Sequence, residues 1–89
     1  MLEFTKIIKS NIKAMNPDKN RTIVFSDVSN GNDGIGVEIY RNGECIMNIF
    51  RDDSKKTRTI TPFIKDIPLA TMEECIGIFK NEIPWDFVD

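Results

Sequence analysis

The dipeptide Asn42-Gly43 constrains the fold of this 89-residue chain more than any other feature of its sequence. It separates two runs that are rich in β-branched and aromatic residues, 35–41 and 44–51. A two-residue type I′ turn needs a positive φ at both central positions, and Asn-Gly meets that need well. The sequence therefore predicts a tight β-hairpin with a fixed register. Its expected cross-strand pairs are Arg41–Glu44, Ile39–Ile46, Val37–Asn48 and Ile35–Phe50.

This register divides the apolar residues of the hairpin between two faces of a sheet. We expect helices to cover the first face, which carries Ile35, Val37, Ile39, Ile46 and Phe50. The opposite face is half-apolar, which is unusual for an open, solvated surface. It carries Tyr40, Cys45, Met47 and Ile49 beside Glu38.

Two further strands and two helices complete the expected fold. Residues 21–28 and 57–64 have strand composition, and Pro62 predicts that the second of these is an edge strand or is bulged. Apolar residues recur at helical spacing in two segments. The N-terminal set is Phe4, Ile8, Ile12 and Met15, and the C-terminal set is Leu69, Met72, Cys75, Ile76, Phe79 and Ile83.

The resulting order is α-β-β-β-β-α, and short connections favour an antiparallel meander. The sequence thus predicts an α+β fold in which a four-stranded antiparallel sheet carries the N- and C-terminal helices on one face. A chain of this length forms a single domain, residues 1–89. Pro68 suits the first turn of the second helix. Gly77 lies within that helix, where we expect it to allow close approach to the sheet.

The charge of the chain is unevenly distributed. Residues 66–89 contain six acidic residues and one basic residue, Lys80. This acidic segment argues against direct binding of nucleic acid, which needs a positive surface, and favours a basic protein partner. The N-terminal residues resemble no secretory signal, and no run approaches the roughly 18 apolar residues of a membrane span. We therefore expect a cytoplasmic protein that does not bind membranes.

The sequence offers little reactive chemistry. It contains no histidine, the commonest general base and metal ligand. The two cysteines, Cys45 and Cys75, are far apart in sequence, and we interpret both as small buried hydrophobic residues. No catalytic, cofactor or metal site is predicted, and an enzyme is the least favoured class of protein.

The charged stretch 51–58, "RDDSKKTR", is predicted to be the tip of a second hairpin. Asp52 and Asp53 compensate the neighbouring basic residues there, or they contribute to the rim of a protein-binding surface. The C-terminal stretch "IPWDFVD" poses a similar choice. Trp85 and Phe87 either fold back as core residues or serve as exposed anchors for a partner, and Tyr40 has the same two interpretations.

The order of elements, the acidic C-terminus and the phrase "EIYRNGECIMNIFRDDSKKTRTITPFIKDIP" resemble the small bacterial immunity proteins of contact-dependent growth inhibition and related polymorphic toxin systems. The resemblance covers nearly the whole chain in size and pattern. It implies a toxin–antitoxin partnership in which this protein binds a cognate toxin domain, often a nuclease with a basic cleft, and neutralises it as a stoichiometric inhibitor.

From charge and hydropathy alone, we expect the partner-binding residues to be acidic or aromatic. They are Tyr40, Asp52, Asp53, Glu73, Glu74, Glu82, Trp85, Asp86 and Asp89. The alternative to an inhibitor is a small regulatory or adaptor module without catalytic activity, or a homodimer formed through the half-apolar face or the edge strand.

Overall fold

Residues 20–88 are described by a computed structural model of the chain. They form an antiparallel sheet in the order β1-β2-β3-β4 followed by one helix. The α+β class and the four-stranded meander are therefore confirmed. The predicted N-terminal helix lies outside the described residues. The elements are β1 (Arg21–Asp27), β2 (Gly34–Arg41), β3 (Glu44–Asp52), β4 (Thr57–Pro62) and α1 (Leu69–Glu82).

The turn between β2 and β3 has the predicted chemistry. Asn42 has a φ of 55° and Gly43 a φ of 80°, as a type I′ turn requires. Arg41 lies opposite Glu44, as expected. Asn42 and Gly43, which tolerate the left-handed region, thus fix the pairing of Arg41 with Glu44.

A β-bulge directly after this first turn changes the rest of the register. Tyr40 lies opposite Cys45, but Ile39 lies opposite Met47, so that Ile46 is an additional residue in β3. The predicted pairs that follow Arg41–Glu44 are therefore wrong. Because side chains alternate between the two faces of a sheet, one inserted residue moves each later side chain of β3 to the face opposite the predicted one. The observed pairs are Ile39–Met47, Val37–Ile49, Gly36–Phe50 and Ile35–Arg51.

The bulge decides which side chains of β3 enter the core. Met47 and Ile49, predicted on the half-apolar face, lie under α1. Phe50, predicted under the helices, lies on the other face and stacks with Phe25, with ring centres 5.8 Å apart. Gly36 pairs with both phenylalanines, and a Cβ at this glycine would lie 2.4 Å from the carbonyl oxygen of Ile49.

The core forms between one face of the sheet and α1. Its buried residues are Val37, Ile39, Ile46, Met47, Ile49, Cys75, Phe79 and Ile83. Full burial of a side chain as large as that of Phe79 contributes about 3 kcal/mol. Burial also raises the pKa of the Cys75 thiol. Cys75 is thus a buried hydrophobic residue as predicted, whereas Cys45 is only partly buried.

Prolines border the helix at both ends. Pro68 precedes Leu69 as the N-cap residue, and Ile83 is extended at the C-cap, where its N–H still bonds to the oxygen of Phe79. Two predictions for this helix are wrong, namely that Leu69 belongs to its buried apolar side and that Gly77 allows close approach to the sheet. Leu69 is 75% exposed, and a Cβ at Gly77 would meet no atom within 4 Å. Gly77 therefore faces open space, not the sheet.

Strand β4 is an edge strand, as Pro62 predicted. It ends at Pro62, and the next residue, Phe63, donates its N–H to the oxygen of Ile46 at 2.8 Å. Because bonded and non-bonded positions alternate along an antiparallel ladder, the nitrogen of Pro62 falls on the side that faces away from β3. The missing N–H thus costs no bond within the sheet.

Candidate protein-binding surface

The charged stretch between β3 and β4 is a hairpin tip that Asp52 holds together. Its Oδ1 accepts hydrogen bonds from the N–H groups of Ser54 and Lys55, both at 3.1 Å, and from the Ser54 hydroxyl at 3.0 Å. Lys55 Nζ lies 3.7 Å from Oδ2. Burial alone would raise the pKa of this carboxyl group, but these bonds together lower it. Asp52 is only 3% exposed, so its role here is to shape the turn.

Arg51 and Asp53 connect this hairpin to the C-terminal tail, which we define as residues 84–88. The buried Arg51 donates from Nη1 to the oxygen of Pro84 at 2.7 Å. It also contacts both carboxylate oxygens of Asp53, from Nε at 2.9 Å and from Nη2 at 3.2 Å. Asp53 Oδ1 accepts a hydrogen bond from the Val88 N–H at 3.1 Å. Although burial opposes it, bonds from Val88 and Arg51 lower the pKa of Asp53.

Arg58 makes the largest set of contacts with the tail. Its Nε and Nη2 donate to the oxygen of Trp85 at 3.0 and 2.8 Å. Its Cζ lies 3.8 Å from the centre of the Trp85 ring and 4.1 Å from that of Phe87, which is cation–π geometry. Phe79 meets the edge of the indole, with ring centres 6.5 Å apart. We call Arg51, Asp53 and Arg58 the tail clasp.

Trp85 and Phe87 combine the two predicted roles, because each packs against the domain and each stays partly exposed. Trp85 folds back against the hairpin, yet 48% of it is exposed, and Phe87 is half-buried. Lys80 and Lys56 place their ammonium groups 5.4 Å from the Trp85 ring and 5.7 Å from the Phe87 ring. Trp85 is thus both held by the domain and open to another molecule.

The acidic residues of the C-terminal segment remain at the surface. Glu74 forms an ion pair with Arg41 at 3.3 Å. Glu73, Glu82 and Asp86 are exposed, and within residues 20–88 they have no ion-pair partner. Asp89 lies outside the described residues. Glu73 and Glu82 lie on α1, and Asp86 follows Trp85 in the tail, whereas the charged groups that contact the indole itself are those of Arg58 and Lys80.

Tyr40 belongs to a different part of the molecule. It is 8% exposed, and the guanidinium group of Arg21 lies 4.5 Å from its ring centre. Of the residues predicted to bind a partner, Tyr40 and Asp52 are therefore buried, and buried side chains do not reach a partner. The exposed members are Glu73, Glu74, Glu82, Trp85 and Asp86, with Asp53 half-buried beneath the tail.

A shallow groove of about 200 Å³ lies on the face of the sheet opposite α1. Its lining combines the Phe25–Phe50 stack with the polar side chains of Asp27, Asn32, Asn48, Thr59 and Thr61. Asp27 is held by Ser29, which donates from its hydroxyl at 2.6 Å and from its N–H at 2.9 Å, and these bonds lower its pKa. Among the described residues, no three His, Cys, Asp or Glu side chains are grouped closely enough to bind a metal.

The clasp arginines are the residues that sequence reasoning missed. Arg51 and Arg58 lie directly opposite each other in the β3–β4 register, on the face that α1 covers. Like charges at such a position destabilise a sheet unless other groups compensate them. A hairpin in which Asp52 pairs with Thr57 places Arg51 opposite Arg58. This pair of facing arginines was therefore the sequence signal that hydrogen-bond acceptors from another part of the chain must lie nearby.

Comparison of the chain with family models, curated proteins and solved structures finds no match. The resemblance to immunity proteins therefore stays a prediction. No helix within residues 20–88 has the length and apolar character needed to cross a membrane.

Proposed function

We propose that this protein is a stoichiometric inhibitor of a basic protein, of the kind that neutralises a cognate bacterial toxin domain in the cytoplasm without catalysis. One observation carries the proposal. Glu73, Glu82 and Asp86 are exposed without ion-pair partners among the described residues, and Asp86 directly follows the half-exposed Trp85 in sequence. Exposed carboxylates without partners suit a protein whose surface is positive, such as the substrate cleft of a nuclease.

The physical role of these carboxylates is to attract the partner in the last stage of its approach. At physiological ionic strength the Debye length is about 8 Å, so each charge acts only on a partner that is already close. Such complementarity raises the association rate by about ten- to a thousandfold and makes it sensitive to salt. In the complex, the same groups would occupy positions that substrate phosphates take in a nuclease cleft.

The test first asks whether a gene for a basic nuclease domain lies immediately upstream, and that domain is then the binding probe. We expect the triple variant Glu73→Gln, Glu82→Gln, Asp86→Asn to associate at least tenfold more slowly at low salt and to lose most of the salt dependence. The matched control, Asp33→Asn, Glu44→Gln, Asp66→Asn, removes the same number of charges from exposed positions elsewhere. Equal association rates for the two triple variants would refute the acidic surface.

The edge strand favours a second candidate, self-association or an adaptor role. Every residue of β4 except Arg58 is exposed, and its outer backbone groups face no other strand of the described sheet. Such an edge can pair with a strand of a second chain. Light scattering tests this possibility, because a dimer would double the mass in a manner that depends on protein concentration but not on salt. A monomeric mass at all concentrations would exclude the homodimer.

A further inference from the structure

The tail has no regular secondary structure, so its conformation depends on side-chain contacts. The helix ends at Glu82, and residues 84–88 include no helix or strand. Four hydrogen bonds hold them: one from Arg51 to Pro84, two from Arg58 to Trp85, and one from Val88 to Asp53. Each involves a charged side chain, and such bonds are stronger than neutral ones. The tail is thus fixed at three of its five residues.

These contacts are also what allows Arg51 and Arg58 to face each other. The two guanidinium groups share one face of neighbouring strands, where their repulsion would otherwise destabilise the hairpin. The Asp53 carboxylate supplies one compensating negative charge. The carbonyl oxygens of Pro84 and Trp85 and the faces of the two aromatic rings add partial negative charge. The clasp and the tail therefore stabilise each other.

Trp85 gains a fixed position but only partial burial from this arrangement. Arg58 stacks on its ring and Phe79 meets its edge, yet almost half of the side chain stays exposed. Burial of a tryptophan in the core would stabilise the domain much more than this partial cover does. The geometry thus serves to hold the indole at the surface in one orientation.

We propose that the tail clasp preorganises Trp85 as the anchor that inserts into an apolar cleft of the basic partner, and that Arg58 is the positioning residue for that anchor. This inference rests on the proposed function. Tryptophans dominate the energy of many interfaces, and an anchor that is ordered before binding loses less entropy when it binds. Glu82 and Asp86, close to Trp85 in sequence, favour basic residues at the rim of this cleft.

The anchor and the acidic surface act on different rate constants. Charges at the rim of an interface change the association rate, whereas a desolvated aromatic anchor changes the dissociation rate. Against the same upstream-encoded domain, we expect Trp85→Ala to dissociate at least about thirtyfold faster while its association rate changes less than twofold. The acidic triple variant should show the reverse pattern.

The role of Arg58 is tested with Arg58→Lys, which preserves charge but loses the planar stack and the paired donors. We expect this variant to dissociate about five- to tenfold faster, because the anchor must then be ordered at the moment of binding. The double variant with Trp85→Ala should dissociate no faster than Trp85→Ala alone, since Arg58 acts through Trp85. Arg41→Lys is the matched control, because Arg41 pairs with Glu74 and makes no contact with the tail.

The free protein supplies an independent readout. Trp85 is the only tryptophan of the chain, so the anisotropy of its fluorescence measures the order of the tail. Arg58→Lys should lower that anisotropy, and Arg41→Lys should leave it unchanged. Unchanged dissociation of Trp85→Ala, with the acidic triple variant still slow to associate, would overturn the anchor and leave the proposed function intact. A wild-type chain that binds no basic domain would overturn both proposals.

Discussion

Replacement of Gly77 by alanine tests the placement of α1 directly. Gly77 lies inside the helix, and the position of its absent Cβ is open space with no atom within 4 Å. An alanine there meets no clash, and the higher helix propensity of alanine should stabilise the fold by about 1 kcal/mol. For a domain of this size, that gain raises the melting temperature by about 4–8 °C.

The assay is urea unfolding followed by far-UV circular dichroism, because fluorescence would report on the tail that carries Trp85. Gly77→Ala should raise the urea midpoint without changing the slope of the transition. Gly36→Ala is the matched control, since its Cβ would lie 2.4 Å from the Ile49 oxygen and 3.0 Å from the Phe50 Cα. Overpacking of this kind costs about 1–3 kcal/mol. A destabilised Gly77→Ala would show that this side of α1 is packed, which would refute the reasoning.

Three further perturbations probe the core, the first turn and the charged hairpin. Phe79→Ala should cost about 3–5 kcal/mol, and the milder Phe79→Leu should lower the urea midpoint in the same direction if the alanine variant does not fold. Gly43→Ala, at a φ of 80°, should cost roughly 1 kcal/mol in the same assay because the left-handed region is unfavourable for alanine. Asp52 and Asp53 have lowered pKa values in the folded state, so their stabilisation is complete above the unfolded pKa of about 3.9 and is lost as the pH falls through their folded values. The urea concentration at the unfolding midpoint should therefore decrease when the pH is lowered below about 4. Asp52→Asn should be less stable than the wild-type protein at pH 7 and should lose less stability on acidification. Parallel curves of midpoint against pH for the two proteins would contradict this assignment.

Local signals in the sequence were enough to predict the four strands and the helix of residues 20–88. Asn42-Gly43 fixes the first turn through backbone preferences, and the prolines at 62, 68 and 84 mark boundaries that the structure keeps. The bulge at Ile46 could not be predicted in this way. Nearly every residue from Cys45 to Phe50 is apolar, so no alternation favours one register over its neighbour. The choice depends on packing against α1, which is distant in sequence.

The candidate surface was predictable only in part for a related reason. Exposed acidic residues in a helix follow from helical spacing, and Glu73 and Glu82 lie at the surface of α1 as expected. The contacts that hold Trp85 join Arg58 to a residue 27 positions away, and short-range patterns carry no information about such a pair. Tyr40 was ambiguous because an aromatic residue in a strand suits either side of a sheet.

The width of α1 has a consequence for how this scaffold can change over evolution. A helix is about 10 Å across, and the outer strands of a four-stranded sheet are about 14 Å apart, so α1 by itself leaves both margins of its face uncovered. Val24 and Ile60, at the two ends of one cross-strand row, are accordingly 45% and 38% exposed. Substitutions at these margins would leave the interior intact, so descendants of this chain could acquire new recognition properties there without having to rebuild the domain.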